Sequence, residues 1–385
     1  MSTNIDTKKN IVIFDIDSSS VAGGIFEYGY SAAGVCVAIR ELFSIRKNIV
    51  QTSGLHFDEY WRRTQKVFTD VANEVHLQSL VPLETIYCNV AAPWSSSQKR
   101  NVTYSKKKPF TFTKELADEL IEKELTSSLS KNVDYKDHKV SLIDRKTIKV
   151  SANGYPAREP LGKTMNDVAI DSLITVLSED TKNAFEHIIE KAFHRKPVFS
   201  SNTFMSYFDV ERSLPNTDDA IIIDISGEVS EIMVIKHDHL ELLGVVPIGM
   251  NAIYRHVAVE LNETFAKAKK HILGYHNGNF DTKLNEKIKD ALEKGYKIWL
   301  QSFYHFCDEA SKQGLLPNTI VIKSSEDITW FETLLLSTDE LKEHVHARAE
   351  IEIVHLHTRA DKEVMDISIN DAEMKTLAHG IALNT

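Results

Sequence analysis

Residues Ala220 to Met250 read AIIIDISGEVSEIMVIKHDHLELLGVVPIGM. Ala220 to Ile223 is a short apolar run dominated by β-branched side chains, the composition of a buried strand. The run ends at Asp224, passes through Ser226-Gly227 and resumes as Ile232-Met233-Val234-Ile235. That spacing predicts a strand, a tight polar turn and a returning strand. Such a turn leaves backbone N–H groups free to hold an anion, and the carboxylate beside it can hold a metal or a water.

The start of the chain repeats the plan. Ile11-Val12-Ile13-Phe14 is an apolar strand that ends at Asp15, passes through Asp17-Ser18-Ser19-Ser20 and resumes from Val21 to Phe26. In register, IVIFDIDSSSVAGGIFE overlays AIIIDISGEVSEIMVIK, with Asp15 on Asp224, Ile16 on Ile225 and Ile25 on Val234. Two hairpins of one spacing imply two related halves facing a shared cleft.

The two turns resemble the phosphate loops of the actin-like ATPase superfamily. Leu243 to Leu261, LGVVPIGMNAIYRHVAVEL, is similar to the FtsA stretch in which a strand leads through Pro-Ile-Gly into a helix. Met374 to Leu383, MKTLAHGIAL, resembles the helix that closes this fold. These residues narrow the resemblance to the FtsA/PilM-like family of division and pilus-assembly proteins. It implies an α/β, two-lobed actin-like ATPase fold with an inserted small strand–helix–strand–strand module. The first lobe would comprise residues 1–98 and 179–215, the module 99–178, the second lobe 216–358, and a closing segment 359–385 would pack back on the first lobe.

Composition sets the bounds. A chain of 385 residues exceeds what one core serves. Hydrophobic content of 42% and charged content of 26% describe an ordinary globular protein. A net charge of −10 argues against a nucleic-acid partner, because phosphate binding is largely electrostatic. Cys36, Cys88 and Cys307 are odd in number and far apart, as reduced thiols are. The polar start MSTNIDTKKN has no signal-peptide core, and no apolar run reaches transmembrane length. A cytoplasmic protein without direct membrane insertion is expected, recruited to the inner membrane face only through a partner.

Periodicity places the remaining elements. Gly34 to Ile45 reads as a strand with a partner near Leu42 to Ile45, His56 to Val75 as a helix and Ile86 to Ala91 as a buried strand. Pro93 to Ser97 reads as a loop. A helix begins at Thr113, and strands follow at Val140 to Ser151 and Asp167 to Leu177, separated by a breaker-rich loop around Asn153-Gly154-Tyr155-Pro156. Gly162-Lys163-Thr164 is not a Walker loop, since Ala157 stands where its first glycine belongs. A capped helix spans Ser178 to His194. Two helices are expected over about 252–273 and 281–314, then a strand over Asn318 to Lys323. The module's ends return to one lobe, so the first lobe is expected to tolerate its removal.

The loops depart from the family pattern. The first kind reads Asp-x-Gly-Ser/Thr, and here Asp15-Ile16-Asp17-Ser18. The second reads Asp-x-Gly-Gly-Gly-Thr, and here Asp224-Ile225-Ser226-Gly227-Glu228-Val229. A Gly-Gly turn against the adenine is Ser324-Ser325 here. The resemblance implies that a retained site for ATP and Mg²⁺ would use Asp15, Asp17, Ser18, Ser19, Asp224, Ser226, Gly227, Ser230, Ser324 and Ser325. Asp17 and Glu228 add negative charge where phosphate would sit. At about 4 Å and an effective dielectric of about 20, each such contact costs on the order of 4 kcal/mol. A micromolar affinity is only about 8 kcal/mol. The expectation is a scaffold or assembly protein of the division or pilus machinery with weak or lost ATP binding.

Two alternatives use the same residues. One is an active ATPase that polymerises with ATP. The other is a haloacid-dehalogenase-type phosphatase with Asp15 as nucleophile and Asp17 as general acid, although Asp218-Asp219 precede a strand instead of following one. Lys99-Arg100 and Lys106-Lys107-Lys108 form a basic patch, read either as a solvated face or as a site for an acidic partner peptide. Expected partners are proteins of a division or pilus complex, with self-association into filaments as a further expectation. His344, His346, His355 and His357 are candidate metal ligands, but no third ligand is tied to the last two, and a surface strand face explains them.

Overall fold

The two Asp-bearing strands are apolar without alternation, so both their faces need cover. The computed structural model describes residues 5–51, 56–131, 139–213, 219–237, 239–276, 282–324, 329–336, 340–345, 350–355 and 366–384. The first lobe opens with β1 (Thr7–Ile16), β2 (Ser20–Tyr30), β3 (Cys36–Asn48), α1 (Phe57–Gln78) and β4 (Thr85–Val90). The module follows as β5 (Ser95–Thr111), α2 (Lys114–Lys131), β6 (Val140–Ala152), β7 (Tyr155–Pro156) and β8 (Thr164–Ser178). The chain returns through α3 (Glu179–Phe193), β9 (Val198–Ser201) and α4 (Asn202–Ser213). The second lobe runs through β10 (Ala220–Ile225), β11 (Ser230–Lys236), β12 (His239–Val246), α5 (Met250–Glu260), α6 (Phe265–His276), α7 (Thr282–Ser311), β13 (Thr319–Lys323), α8 (Thr329–Leu336), α9 (Glu340–Val345) and β14 (Glu352–His355). β15 (Asp366–Ser368) and α10 (Ala372–Asn384) close the chain.

The halves repeat one topology. Sheet order β3-β2-β1-β4-β9 in the first matches β12-β11-β10-β13-β14 in the second, with β15 added beside β3. Both turns sit in one register: Asp15 pairs with Ala22 as Asp224 pairs with Glu231. Alternation along each strand then builds the layers. Val12, Phe14 and Ile16 pack outward on Phe68, Val71, Phe185 and Ile189 of α1 and α3. Ile221, Ile223 and Ile225 pack outward on Ile253, Val257, Trp299 and Phe303 of α5 and α7. The inward residues Ile11, Ile13 and Ile222 share a middle layer with Phe204 of α4 and Met374 and Leu377 of α10. Asp15 and Asp224 lie on those inward faces, toward each other.

The module sheet has order β5-β8-β6-β7, and α2 covers it by packing Leu120 and Ile121 on Val102, Phe112 and Ile170. Thr113 caps that helix, its Oγ1 accepting from Leu116 N at 3.2 Å. The module shares core side chains and buried hydrogen bonds with the lobes. Leu173 and Leu177 lie in the lobe cores, and buried Asp144 accepts from Ser200 Oγ at 2.8 Å and Ser201 N at 2.6 Å. A strand that runs on into the lobe carries core side chains with it.

Three local expectations are corrected. β3 is one strand, with a bulge where its register to β2 shifts at Ile25/Phe26. Ser95 to Ser97 begins β5 instead of a loop, because an edge strand needs no apolar alternation. The helix expected over 252–273 is two: Asn262 turns left-handed at φ 52° after α5, and α6 starts afresh at Phe265. No helix among the described residues is long and apolar enough to cross a membrane.

Candidate functional site

Register alone brings distant charges together. In the first sheet, Arg46, Ala22, Asp15, Asn89 and Ser200 lie in one row across five strands. Ala22 is short, so the Arg46 side chain passes over it to reach fully buried Asp15, with Nη2 3.0 Å from Oδ2. The same guanidinium holds Ser20 Oγ at 2.9 Å, Asp371 at 2.8 Å and Glu373 at 3.0 Å. The last two belong to the start of α10. In the second sheet the row is Glu231, Asp224 and Lys323. Buried Lys323 Nζ donates to Asp224 Oδ2 and to Ser206 Oγ, both at 2.9 Å.

The first turns of α4 bridge the two rows. Asn202 Nδ2 donates to Asp15 Oδ1 at 3.2 Å, and Thr203 Oγ1 donates to Glu231 Oε1 at 2.6 Å. Burial disfavours charge on Lys323, but Asp224, Glu373 and Asp15 outweigh it and hold the ammonium above its usual range. Arg46 is held charged in the same way against burial, by Glu373, Asp15 and Asp371. Burial pushes Glu231 up to about 7. Burial also raises Glu373, with the charges of Asp15 and Asp17 adding to the effect.

The turn tips meet. Ser18 Oγ lies 3.0 Å from Ser226 Oγ and accepts from Glu228 N at 2.9 Å. A Cβ on Gly227 would come within 2.7 Å of Ser19 Cβ, so the turn tips approach this closely because position 227 has no side chain. Asp17 and Glu228 do not aim free charge into the gap, which corrects the expectation for both. Asp17 turns into its own loop, taking Ser18 N at 2.6 Å and Ser19 Oγ at 2.7 Å. Its burial pushes it up to about 6, helped by Asp15. Glu228 is clasped by both Arg255 Nη atoms at 3.0 and 2.7 Å and by Asn251 Nδ2 at 2.9 Å. The loop N–H of Ser18 that an anion would use is already taken. For the phosphatase alternative Asp17 would have to face a substrate, and it faces its own turn.

The other expected residues scatter. Ser230 lies on the outward face of β11, where its Oγ donates to Ile248 O at 2.9 Å and accepts from Trp299 Nε1 at 2.9 Å. Ser324 follows β13, half-buried, and Ser325 lies outside the described residues. Lys99, Arg100, Lys106, Lys107 and Lys108 string along β5, away from the turns. Lys99 is tied to the second lobe through Glu241 Oε2 at 3.2 Å. His344 Nδ1 lies 2.8 Å from Asp308 Oδ1. His346, His357 and the side chain of His355 lie outside the described residues, among which no group of metal ligands gathers. Sequence reading missed Arg46, Lys323, Glu231, Arg255 and Glu373. For Lys323 a signal existed, a lone cation ending the apolar run TIVIK.

No protein-family profile matches the chain, and no curated protein sequence matches it. Among solved structures, the chain is similar to one described as the PilM-PilN type IV pilus biogenesis complex, at 12% identity and TM-score 0.61, covering 97% of this chain and 98% of that one. It also aligns with a Bacteroides thetaiotaomicron protein of actin-like ATPase fold, at 10% identity and TM-score 0.43, over 96% of each chain. The ethanolamine utilization protein EutJ from Carboxydothermus hydrogenoformans aligns at 13% identity and TM-score 0.43, over 99% of this chain and 91% of that one. Together with the repeated sheets and the shared middle layer, the full-length likeness to the PilM structure gives the chain the actin-like ATPase fold.

Proposed function

We propose that this chain is a PilM/FtsA-like assembly scaffold whose nucleotide cleft is held shut by its own side chains. The observation that carries the reading is the pairing of both cleft carboxylates with internal cations, Asp15 with Arg46 and Asp224 with Lys323. Each carboxylate that would hold Mg²⁺ already has one of these cations as its counter-charge. The residues present therefore do not fit Mg-ATP. Removing one partner of a buried pair costs about 3–5 kcal/mol. Opening both pairs would consume most of a micromolar affinity, about 8 kcal/mol. The contact of Ser18 with Ser226 adds to the closure.

The likeness to a structure named for a pilus biogenesis complex supports work through protein partners. We place those partners in a pilus or division assembly, with the chain held at the inner face of the membrane through one of them. Calorimetry of the full chain with Mg-ATP tests the reading. No heat of binding is expected at micromolar nucleotide, and a dissociation constant below micromolar would overturn it. No steady cleavage of a phosphomonoester is expected either.

A further inference from the structure

The far end of the module gathers cations. Along β8, Leu177 and Leu173 sit in the lobe cores, and Thr164 at the strand's other end lies about 30 Å beyond Leu173, at about 3.3 Å per residue. Hydrogen bonds join residues 105–112 and 153–166 into one tip there. Asn166 Nδ2 donates to the carbonyls of Lys106 at 3.3 Å and Lys107 at 3.4 Å. Asn153 Oδ1 accepts from Asn166 N at 3.0 Å, and Phe112 N donates to Lys163 O at 2.9 Å. β5 leaves its register with β8 between Ser105 and Phe110, so Lys106, Lys107, Lys108 and Pro109 bulge out, all exposed.

Residues 105–115 and 153–167 carry Lys106, Lys107, Lys108, Lys114, Arg158 and Lys163 against Glu115, Glu159 and Asp167, six cations to three carboxylates in a chain of net charge −10. Other exposed lysines meet carboxylates, as Lys267 meets Glu263 and Lys294 meets Glu260, each at 2.9 Å. Lys106, Lys107, Lys108, Arg158 and Lys163 are exposed, and none has a carboxylate within ion-pair reach among the described residues. Asp167 accepts from Ser105 Oγ, and Asp118, the next carboxylate along α2, is paired with Arg145. Two apolar side chains stand among these cations: Tyr155 is 77% exposed and Leu161 58%. Neither belongs to the module's core.

We propose that this tip adsorbs the chain to a membrane surface rich in anionic phospholipid. Lys106, Lys107, Lys108, Arg158 and Lys163 pair with lipid phosphates, while Tyr155 and Leu161 enter the boundary between headgroups and acyl chains, where aromatic and apolar side chains gain most. Each basic residue close to such a surface raises the partition about fivefold. The acidic lobes do not cancel this attraction: they lie about 30 Å away along β8, and exposed charges are largely screened beyond about 10 Å at about 0.1 M salt. An acidic protein segment is the poorer occupant, because protruding apolar side chains need a medium that they can enter. The inference goes beyond the scaffold reading, which places a partner between the chain and the membrane.

The probe is a phosphatidylcholine vesicle with or without about a third of phosphatidylglycerol, co-sedimented with the full chain. Binding to the anionic vesicles is expected, at least tenfold weaker on the neutral ones and lost in high salt. Replacing Lys106, Lys107 and Lys108 together by Ser should weaken it at least tenfold; the three are exposed, so the fold is retained. Lys283, Lys287 and Lys297 of α7 are also exposed, and their joint replacement by Ser changes net charge equally but should leave binding unaltered. Tyr155→Trp should shift its emission to the blue on anionic vesicles, beyond any shift of the native tryptophans. No binding to anionic vesicles overturns the proposal, and so does equal binding to neutral ones. Equal loss in the two triple variants overturns it as well, leaving ion exchange by the whole surface. Soluble polyglutamate that shifts the Tyr155→Trp emission as the vesicles do would transfer the tip to an acidic protein partner. Nucleotide is absent throughout, so the result is separate from the calorimetry that tests the closed cleft.

Discussion

Lys323 is the residue on which the closed cleft turns. It is buried, and its removal leaves Asp224 desolvated with no counter-charge. Lys323→Met is expected to lower stability by about 3–5 kcal/mol in urea unfolding, and adding Asp224→Leu should return most of that loss. Glu231 gives a test by pH. Its carboxyl is pushed up to about 7 from an ordinary 4.5, so the folded state holds a proton that the unfolded state releases. The sign is a loss of wild-type stability as pH rises through that window, and no loss below it. Glu231→Gln removes the group and keeps an acceptor for Thr203. The variant's advantage over wild type should therefore grow from near zero at acid pH to on the order of a few kcal/mol in mildly alkaline buffer. A pH-independent difference between the two proteins would discard this account. At this scale the sequence was half readable: Asp15 and Asp224 stood at strand ends, but their partners Arg46 and Lys323 are set by register across strands, which no spacing along the chain reveals.

Hairpins and helix starts carry the next scale. The strands were legible because apolar runs without alternation have to be covered on both faces. β5 was only partly legible, since its first half is polar and half-exposed, and the break after α5 was hidden because apolar spacing continues through it. The second turn is fixed by two glycines of unequal tolerance. A Cβ on Gly249 would meet Ser226 O at 2.4 Å and Gly227 O at 2.5 Å, backbone atoms that move only with the whole turn. A Cβ on Gly227 meets side-chain atoms of Ser19 and Asn251. Gly227→Ala is expected to cost about 1–3 kcal/mol by prising the turn tips apart, and Gly249→Ala to cost more. Thermal unfolding of both variants ranks them, and the reverse order would be evidence against this packing of the turn. Ser178, whose Oγ accepts from Thr181 N at 3.1 Å, should cost about 1 kcal/mol as Ser178→Ala.

On the scale of the molecule, two halves share one middle layer, and the module is rooted in it. Leu173 is fully buried with Ile11, Ile222 and Met233, residues of both lobes. Leu177 packs with Phe14 and Phe185 of the first lobe. Losing a buried leucine to a cavity costs about 2–5 kcal/mol, and a domain holds only about 5–15 kcal/mol in all. Replacing residues 99–178 by a short linker also strips Ser200 and Ser201 of Asp144, leaving buried donors unpaired. The deletion is therefore expected to unfold or to populate an expanded state. Shortening only the exposed turn around Gly154 should be tolerated, because a Cβ there meets nothing within 4 Å. Far-ultraviolet circular dichroism and hydrogen exchange on the two variants decide the matter. A folded deletion of 99–178 with an unchanged urea midpoint would mean that the lobes close without Leu173, and that the module is an appendage after all.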